Sequence, residues 1–252
     1  MARRRARPDG PPSLKLTGGV ATIRFERPGE HNRIDPDDIA VLRGHLGRIA
    51  AEPSLRTVVF RGAGDKTFSS GFTLGAIRER LDRSFEDLLD AIEDVAVPTI
   101  AVVNGGVYGG ATDLALCCDW RIGVTGARMF MPAARFGLHY YPGGLRRYVR
   151  TLGLAQAKRL FLTGQTLRAP EMLRIGFLTE LVPRLQLERT LAATLAAIVQ
   201  CEPAVVQTMK RQLNAIAAGA AGAAQSRAAY ETSLGSAELA RRLAALSEKA
   251  QR

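Results

Sequence analysis

Two glycine-containing turns carry the residues whose types and spacing could do chemistry. Residues 68–74 read F-S-S-G-F-T-L, and residues 104–114 read N-G-G-V-Y-G-G-A-T-D-L. Each turn follows an apolar run typical of a buried strand, and the second leads into an apolar helix. Glycine lets a ligand approach the backbone closely, and a helix start leaves its first N–H groups unpaired. The two turns therefore favour the binding of negative charge.

Missing residues disfavour two kinds of anion site in the second turn. A phosphate loop needs a lysine after its last glycine, but Ala111 follows Gly110. The dinucleotide fingerprint G-x-G-x-x-G does not occur in the segment. Two such turns can instead direct two backbone N–H groups at one oxygen, which makes an oxyanion hole for a carbonyl that becomes an enolate or a tetrahedral species. Close packing of a strand on a helix is the alternative explanation of these glycines.

Alternating strands and helices must position both turns. The sequence predicts strands at 20–25, 57–60, 99–103 and 120–124, and helices at 35–49, 85–95 and 111–118. From residue 143 onward helical patterns dominate. We therefore expect an α/β core over residues 19–195 and a C-terminal helical region over residues 196–252. Residues 1–18, rich in Arg, Pro and Gly, are predicted to be a disordered basic tail.

Composition limits the partners and the compartment. The chain has 252 residues and three cysteines, without metal-ligand spacing or a disulfide framework. A reducing, cytoplasmic location is therefore expected. No run approaches the roughly 18 apolar residues of a membrane span, so no membrane partner is expected. The net charge of +11 permits RNA binding, but the absence of an aromatic-interleaved RNA motif makes RNA the weakest alternative.

Four segments, taken together and in order, resemble the crotonase superfamily of enoyl-CoA hydratases and isomerases: residues 68–74, 98–110, 118–122 and 160–164. The similarity runs from about residue 20 to 182, and more loosely to about 249. It implies repeated β-β-α turns with a C-terminal helical region, usually assembled as a homotrimer or hexamer. It also implies an acyl-CoA substrate, with coenzyme A as part of the thioester and no permanently bound cofactor.

The resemblance also implies roles for individual residues. The N–H groups of Phe72 and Gly110 would form the oxyanion hole. Ser70, Gly71 and Gly109, in the same two turns, would contribute to binding the thioester. Lys66 matches a position where the family often places a lysine near the CoA phosphates, and a solvated loop lysine is the alternative for it.

The chain departs from the hydratase pattern at both acidic positions. Hydratases of the family hold water with two glutamates, which align here with Asp113 and Ala133. Alanine cannot transfer a proton, and aspartate is one methylene shorter than glutamate, so ordinary two-glutamate hydration is disfavoured. Asp113 is expected either to act as a single base or to stabilise the first turn of its helix.

Residues 138–144, L-H-Y-Y-P-G-G, are expected at the acyl end of the site. Malonyl-type decarboxylases of the family also lack the second glutamate and carry a tyrosine in line with Tyr140. Loss of CO2 generates the enolate directly, so such a site needs no strong base. Alternatively, His139 and Tyr140 shape an acyl pocket.

The leading hypothesis is thus an acyl-CoA lyase or isomerase whose reaction needs at most one carboxylate: isomerisation, decarboxylation or a weakened hydration. A catalytically lapsed CoA-binding scaffold is the second hypothesis, because of Ala133. RNA or CoA-phosphate contact through a basic helical region is the third, with a solvated face or salt bridges between subunits as its alternative. The basic residues are Arg146, Arg147, Arg150, Lys158 and Arg159.

Overall fold

The computed structural model describes residues 9–220 and 223–250. Its strands are β1 Gly10–Thr17, β2 Val20–Glu26, β3 Thr57–Gly62, β4 Thr67–Ser69, β5 Thr99–Val103, β6 Gly106–Tyr108, β7 Trp120–Val124, β8 Arg128–Phe130, β9 Leu167–Arg168 and β10 Glu180–Val182. Its α-helices are α1 Asp38–Ala50, α2 Ile77–Arg80, α3 Arg83–Glu93, α4 Gly110–Cys117, α5 Pro142–Leu152, α6 Leu154–Thr163, α7 Ala169–Arg174, α8 Leu187–Gln200, α9 Pro203–Ala217, α10 Ala223–Leu234 and α11 Ala237–Ala250.

The larger sheet has the strand order β1-β2-β3-β5-β7-β10. Neighbouring strands within this sheet pair in parallel, except β1 and β2, which are antiparallel. Every residue of β5 is buried, as is typical of a parallel strand covered on both faces. The strands predicted over residues 20–25, 57–60, 99–103 and 120–124 are confirmed as β2, β3, β5 and β7.

A smaller sheet, with the order β4-β6-β8-β9, positions the two glycine turns. Thr67 pairs with Gly106 and Ser69 pairs with Val107 in the parallel β4–β6 ladder. Parallel strands end at the same edge of a sheet, so the turns that follow β4 and β6 start side by side. This sheet is what brings residues about 40 positions apart to one place.

The prediction of a disordered tail over residues 1–18 is wrong for residues 10–17, which form β1. Gly18 and Gly19, with φ of +58° and +76°, make a two-residue hairpin loop between β1 and β2. Such positive φ angles match the turns that join antiparallel strands, and glycine adopts them without strain. Pro11 and Pro12 fall at an irregularity in the ladder, which is where an edge strand tolerates proline. Residues 1–8 lie outside the described residues.

The chain divides into two units between Gln200 and Cys201. The predicted boundary at residue 195 is therefore wrong, because it falls inside α8, which continues to Gln200. The second unit contains α9, α10 and α11. Among the described residues, no single helix is long and apolar enough to span a membrane. The consecutive segments Arg184–Gln200 and Pro203–Ala217 together meet these two criteria, by length and composition only.

Helix α3 packs directly against the two glycine turns. Its N-cap Asp82 accepts a hydrogen bond from the Ser84 N–H, and its buried face consists of Phe85, Leu88, Leu89, Ile92 and Glu93. The helix contacts both α4 and α5. The ring of Phe85 and the carboxylates of this helix therefore lie next to the start of α4 and the start of α5.

Candidate active site

The backbone at Phe72 leaves one N–H group without an acceptor. Ile34 forms a parallel bridge with Phe72, in which the Ile34 N–H donates to the Gly71 carbonyl and the Thr73 N–H donates to the Ile34 carbonyl. In a parallel bridge the central residue directs its own N–H to the opposite side. Within residues 9–220 and 223–250, the Phe72 N–H donates to no backbone acceptor.

Gly110 supplies a second N–H beside the first. It is the first residue of α4, and the preceding Gly109 has a φ of +52°, which turns the chain sharply. A Cβ placed on Gly110 would lie 3.9 Å from the Phe72 nitrogen, and one placed on Gly71 would lie 2.7 Å from the Gly110 nitrogen. The two turns are thus in direct contact, and the N–H groups of Phe72 and Gly110 are neighbours.

Side chains behind the first turn fix its conformation. The Ser69 hydroxyl accepts the Gly71 N–H at 3.0 Å and donates to the Asn32 carbonyl at 2.7 Å. Gly71 has a φ of +80° and no room for a side chain, so a glycine is required there. These contacts hold the turn before any ligand arrives, which is the preorganisation that an oxyanion hole needs.

A cavity of about 990 Å³ opens beside the two N–H groups. Its wall is mostly apolar and includes Phe72, Ile77, Phe85, Met131, Leu138 and Tyr141. The Phe85 ring meets Phe72 edge-on, with ring centroids 5.5 Å apart, and meets Tyr141 edge-on at 6.4 Å. An apolar wall strengthens hydrogen bonds to a developing oxyanion because it excludes water.

The structure brings some of the sequence-predicted site residues to this cavity and leaves others outside it. Phe72, Gly110, Tyr140, His139, Ser70 and Gly109 line the cavity. Lys66, Gly71 and Asp113 are not among its lining residues. Lys66 is exposed beside the start of β4, where its carbonyl accepts the Gly106 N–H. Its role at the CoA phosphates stays a prediction.

Asp113 is fully buried and both of its carboxylate oxygens are engaged. Arg147 donates from Nε to Oδ1 at 2.9 Å and from Nη2 to Oδ2 at 3.0 Å. The Tyr141 hydroxyl also donates to Oδ2, at 2.5 Å. The side chain makes no hydrogen bond to the start of α4, so it does not cap its own helix. Asp113 instead joins α4 to α5.

Arg147 lies at the centre of a buried ion-pair network. It is fully buried and contacts Asp90 at 2.7 Å and Glu93 at 3.0 Å, besides Asp113. Burial lowers the pKa of Arg147, but the hydrogen bonds and charges of its partners, Asp113 first, outweigh burial and raise the pKa above its ordinary value. Arg146 and Arg150 also pair with Glu93. The interpretation of α5 as a solvated basic face is therefore wrong for Arg147.

Tyr140 and Tyr141 stack between this network and the cavity. Their ring centroids are 4.3 Å apart, and their hydroxyl oxygens are 3.0 Å apart. Burial raises the pKa of both phenols well above the ordinary value of 10, and the charge of Asp113 raises it further. Gly144 permits this arrangement, since a Cβ there would collide with the Tyr140 ring. Both tyrosines are therefore neutral near pH 7.

Ala133 lines the cavity at the second hydratase position, so no carboxylate lies there. The acidic side chains that do line the cavity, in the part of the chain that the structure describes, are Asp82 and Glu86. Glu86 accepts the Gly143 N–H on Oε1 at 2.9 Å. Sequence reasoning missed Glu86, because only the packing of α3 against the start of α5 brings it to the cavity.

The sequence of the chain is similar to those of known proteins. Residues 15–241 match the family model described as Enoyl-CoA hydratase/isomerase. A short-chain-enoyl-CoA hydratase of Clostridium acetobutylicum is 30% identical over 208 residues, which is 80% of each chain. A crotonyl-CoA hydratase of Syntrophomonas wolfei is also 30% identical, over 171 residues and 65% of each chain.

Solved structures show the same architecture. An enoyl-CoA hydratase/isomerase family member has a TM-score of 0.87 at 27% identity, covering 98% of this chain and 96% of that one. An enoyl-CoA hydratase from Bacillus anthracis has a TM-score of 0.84 at 24% identity, covering 95% and 97%. The predicted α/β crotonase-like fold with C-terminal helices is confirmed. The chain belongs to the enoyl-CoA hydratase/isomerase family.

Proposed function

We propose that the chain binds an acyl-CoA thioester and stabilises its enolate with the N–H groups of Phe72 and Gly110. The observation that carries the proposal is the contact between the two turns, which makes these N–H groups neighbours at an apolar cavity. Within residues 9–220 and 223–250, neither N–H group donates to a backbone acceptor outside the helices and strands. One such donor contributes roughly 3–4 kcal/mol of transition-state stabilisation. Coenzyme A enters as part of the substrate, as it does in the names of the curated relatives.

Two features argue against a two-glutamate hydration mechanism. Ala133 has no proton to transfer, and both carboxylate oxygens of Asp113 accept hydrogen bonds from Arg147 or Tyr141. A carboxylate that leaves Arg147 to take up a proton would leave a buried guanidinium charge less compensated, which is costly. The reaction we propose therefore uses at most one carboxylate at the cavity, as in double-bond isomerisation or a weakened hydration.

Decarboxylation of a malonyl-type thioester is the second candidate. The engagement of Asp113 favours it, because loss of CO2 supplies the enolate electrons without a base. Tyr140 lines the cavity, where its hydroxyl can donate to a substrate carboxylate in place of Tyr141.

A panel of thioesters tests these proposals. The purified chain would be incubated with 2-enoyl-, 3-enoyl-, malonyl- and methylmalonyl-CoA, and the products followed by liquid chromatography and mass spectrometry. Turnover of any member supports an enolate-stabilising enzyme, and the member consumed fastest identifies the reaction. Binding of CoA thioesters without turnover of any member would support the lapsed scaffold instead.

A further inference from the structure

The geometry points to Glu86 as the catalytic carboxylate that moves protons at the acyl carbons in this site. The inference rests on the proposed function, since it assigns a proton-transfer group to the same enolate. No feature of the glycine turns or of the residues aligned with hydratase glutamates singles out Glu86. It is identified by the side chains that meet at the cavity.

Elimination among the acidic residues leaves Glu86. Asp113 is enclosed by Arg147 and Tyr141 and is not a lining residue. Asp82 lines the cavity, but its carboxylate caps α3 by accepting from the N–H and hydroxyl of Ser84, and it is exposed. Glu86 is half-buried, one turn into the same helix.

One oxygen of Glu86 is held and the other is available. Oε1 accepts a hydrogen bond from the N–H of Gly143. Gly143 is the second residue of α5, and the N-terminus of a helix attracts a carboxylate. A Cβ on Gly143 would come within 3.0 Å of Oε1 and 3.1 Å of an Asp90 oxygen, so glycine permits this close approach. Among residues 9–220 and 223–250, no side chain or backbone group is hydrogen-bonded to Oε2.

The neighbours of Glu86 place it on the oxyanion side of the cavity. Phe85, the preceding residue, contacts the Phe72 ring and reaches the Cα side of Gly110, where a Cβ would meet it at 2.8 Å. Phe85 also meets Tyr141. The carboxylate therefore projects from the helix turn that packs directly against both N–H donors and the acyl-end tyrosines.

The proton balance of the step is complete with this single group. Glu86 takes a proton from the α carbon of a thioester, and the C–H electron pair forms the C=C bond of the enolate. The charge moves to the thioester oxygen beside the N–H groups of Phe72 and Gly110. The protonated Glu86 then returns the proton to the α carbon or, with a 3-enoyl thioester, to the γ carbon, which gives the 2-enoyl isomer.

The Glu86 carboxylate should affect proton transfer and decarboxylation in different ways. A malonyl-type substrate would bring its own carboxylate towards that of Glu86 in a mostly apolar cavity, and like charges repel strongly where water is excluded. Decarboxylation needs no group that removes a proton from carbon. Loss of the Glu86 charge should therefore harm proton transfer and spare or help decarboxylation.

The test is Glu86→Gln, assayed by 3-enoyl-CoA isomerisation and by deuterium uptake at the α carbon of butyryl-CoA in D2O. Glutamine keeps an oxygen for the Gly143 N–H but cannot take up the proton. We expect kcat and the exchange rate to fall by about 100-fold or more, with KM within about threefold of the unsubstituted protein. Glu86→Asp, which keeps a carboxylate one methylene further back, should retain part of the activity.

Asp87→Asn is the matched control, because Asp87 is the next residue on α3 and does not line the cavity. It should leave kcat and exchange unchanged. If the unsubstituted protein turns over a thioester and Glu86→Gln exchanges protons at the same rate, Glu86 is not the proton-transfer group and the proposed function still stands. If the unsubstituted protein neither turns over nor exchanges any thioester, both the function and the role of Glu86 are refuted.

Discussion

At the scale of single residues, the site depends on atoms that no side-chain pattern reveals. The two N–H groups belong to the backbone, so Phe72 and Gly110 are found by the turns that contain them. The resemblance to a known family identified both, together with Ala133 and Asp113. The partners of Asp113 escaped prediction, because Arg147 lies 34 positions away and only the packing of α5 on α4 joins them.

Removing one N–H donor is the direct test at this scale. Gly110→Pro deletes the donor, whereas Gly110→Ala keeps it, and both place a Cβ against the Phe85 ring. Both variants would therefore be made with Phe85→Leu to relieve the contact. We expect the proline variant to show a kcat about 100- to 1,000-fold below that of the alanine variant.

The comparison of these two variants isolates the hydrogen bond from the added bulk. Steady-state kinetics would use the thioester that the unsubstituted protein consumes fastest, and circular dichroism would confirm that α4 is kept. Equal kcat values in two folded variants would show that the Gly110 N–H does not stabilise the transition state.

At the scale of elements, the larger sheet was predictable and the smaller one was not. Buried parallel strands contain continuous apolar runs, such as residues 58–60 in β3 and residues 100–103 in β5. Strands β4, β6, β8 and β9 are only two or three residues long, which is too short for a periodic signal. The glycine pair before β2 could have predicted the hairpin between β1 and β2. Pro11 and Pro12 argued against a strand at β1, because proline is rare within strands.

The α4–α5 junction gives a prediction about stability. Arg147→Met removes the guanidinium that Asp113 requires and leaves that buried carboxylate unpaired. We expect the free energy of unfolding to fall by about 3–5 kcal/mol. Arg147→Met combined with Asp113→Leu should recover part of the loss, because apolar side chains then replace both charges while Arg150 still pairs with Glu93.

Urea unfolding followed by circular dichroism would measure each variant of this cycle. Arg83→Met is the control. It removes an exposed arginine whose ion pair, in the part of the chain that the structure describes, is with Asp87 on its own helix, and it should change stability by less than about 0.5 kcal/mol. An Arg147→Met protein as stable as the unsubstituted one would mean that the buried network contributes nothing to joining α4 to α5.

At the scale of the whole molecule, the family and the fold followed from several short segments in the right order, whereas the reaction did not. The proposed oxyanion hole consists of backbone groups, whereas the reaction depends on the side chains around it. This chain has Ala133 and a committed Asp113 at the positions that align with hydratase glutamates, and Glu86 at the cavity. A homotrimeric or hexameric assembly stays a prediction.

The buried network also sets how the fold responds to acid. Burial raises the pKa of Glu93, but Arg150 and Arg147 outweigh burial, and the net pKa is lowered from its ordinary value of 4.5. The folded state therefore binds this proton less tightly than the unfolded state. The stabilisation is fully present above pH 4.5 and is lost as the pH falls through the lower, folded pKa.

We expect the midpoint of urea unfolding to fall as the pH decreases from 6 to about 3, and to fall less steeply in Glu93→Gln, which has no such proton to bind. Glu171→Gln is the comparison variant, because the Glu171 side chain is 26% exposed, against 7% for Glu93, and Arg174 and Arg159 lower its pKa to about 2. Salt screens exposed pairs far more than buried ones. At high salt, the midpoint of urea unfolding should therefore depend on pH equally in Glu171→Gln and in the unsubstituted protein, and less steeply in Glu93→Gln. An equal pH dependence in all three proteins would contradict a role for the buried network in acid unfolding.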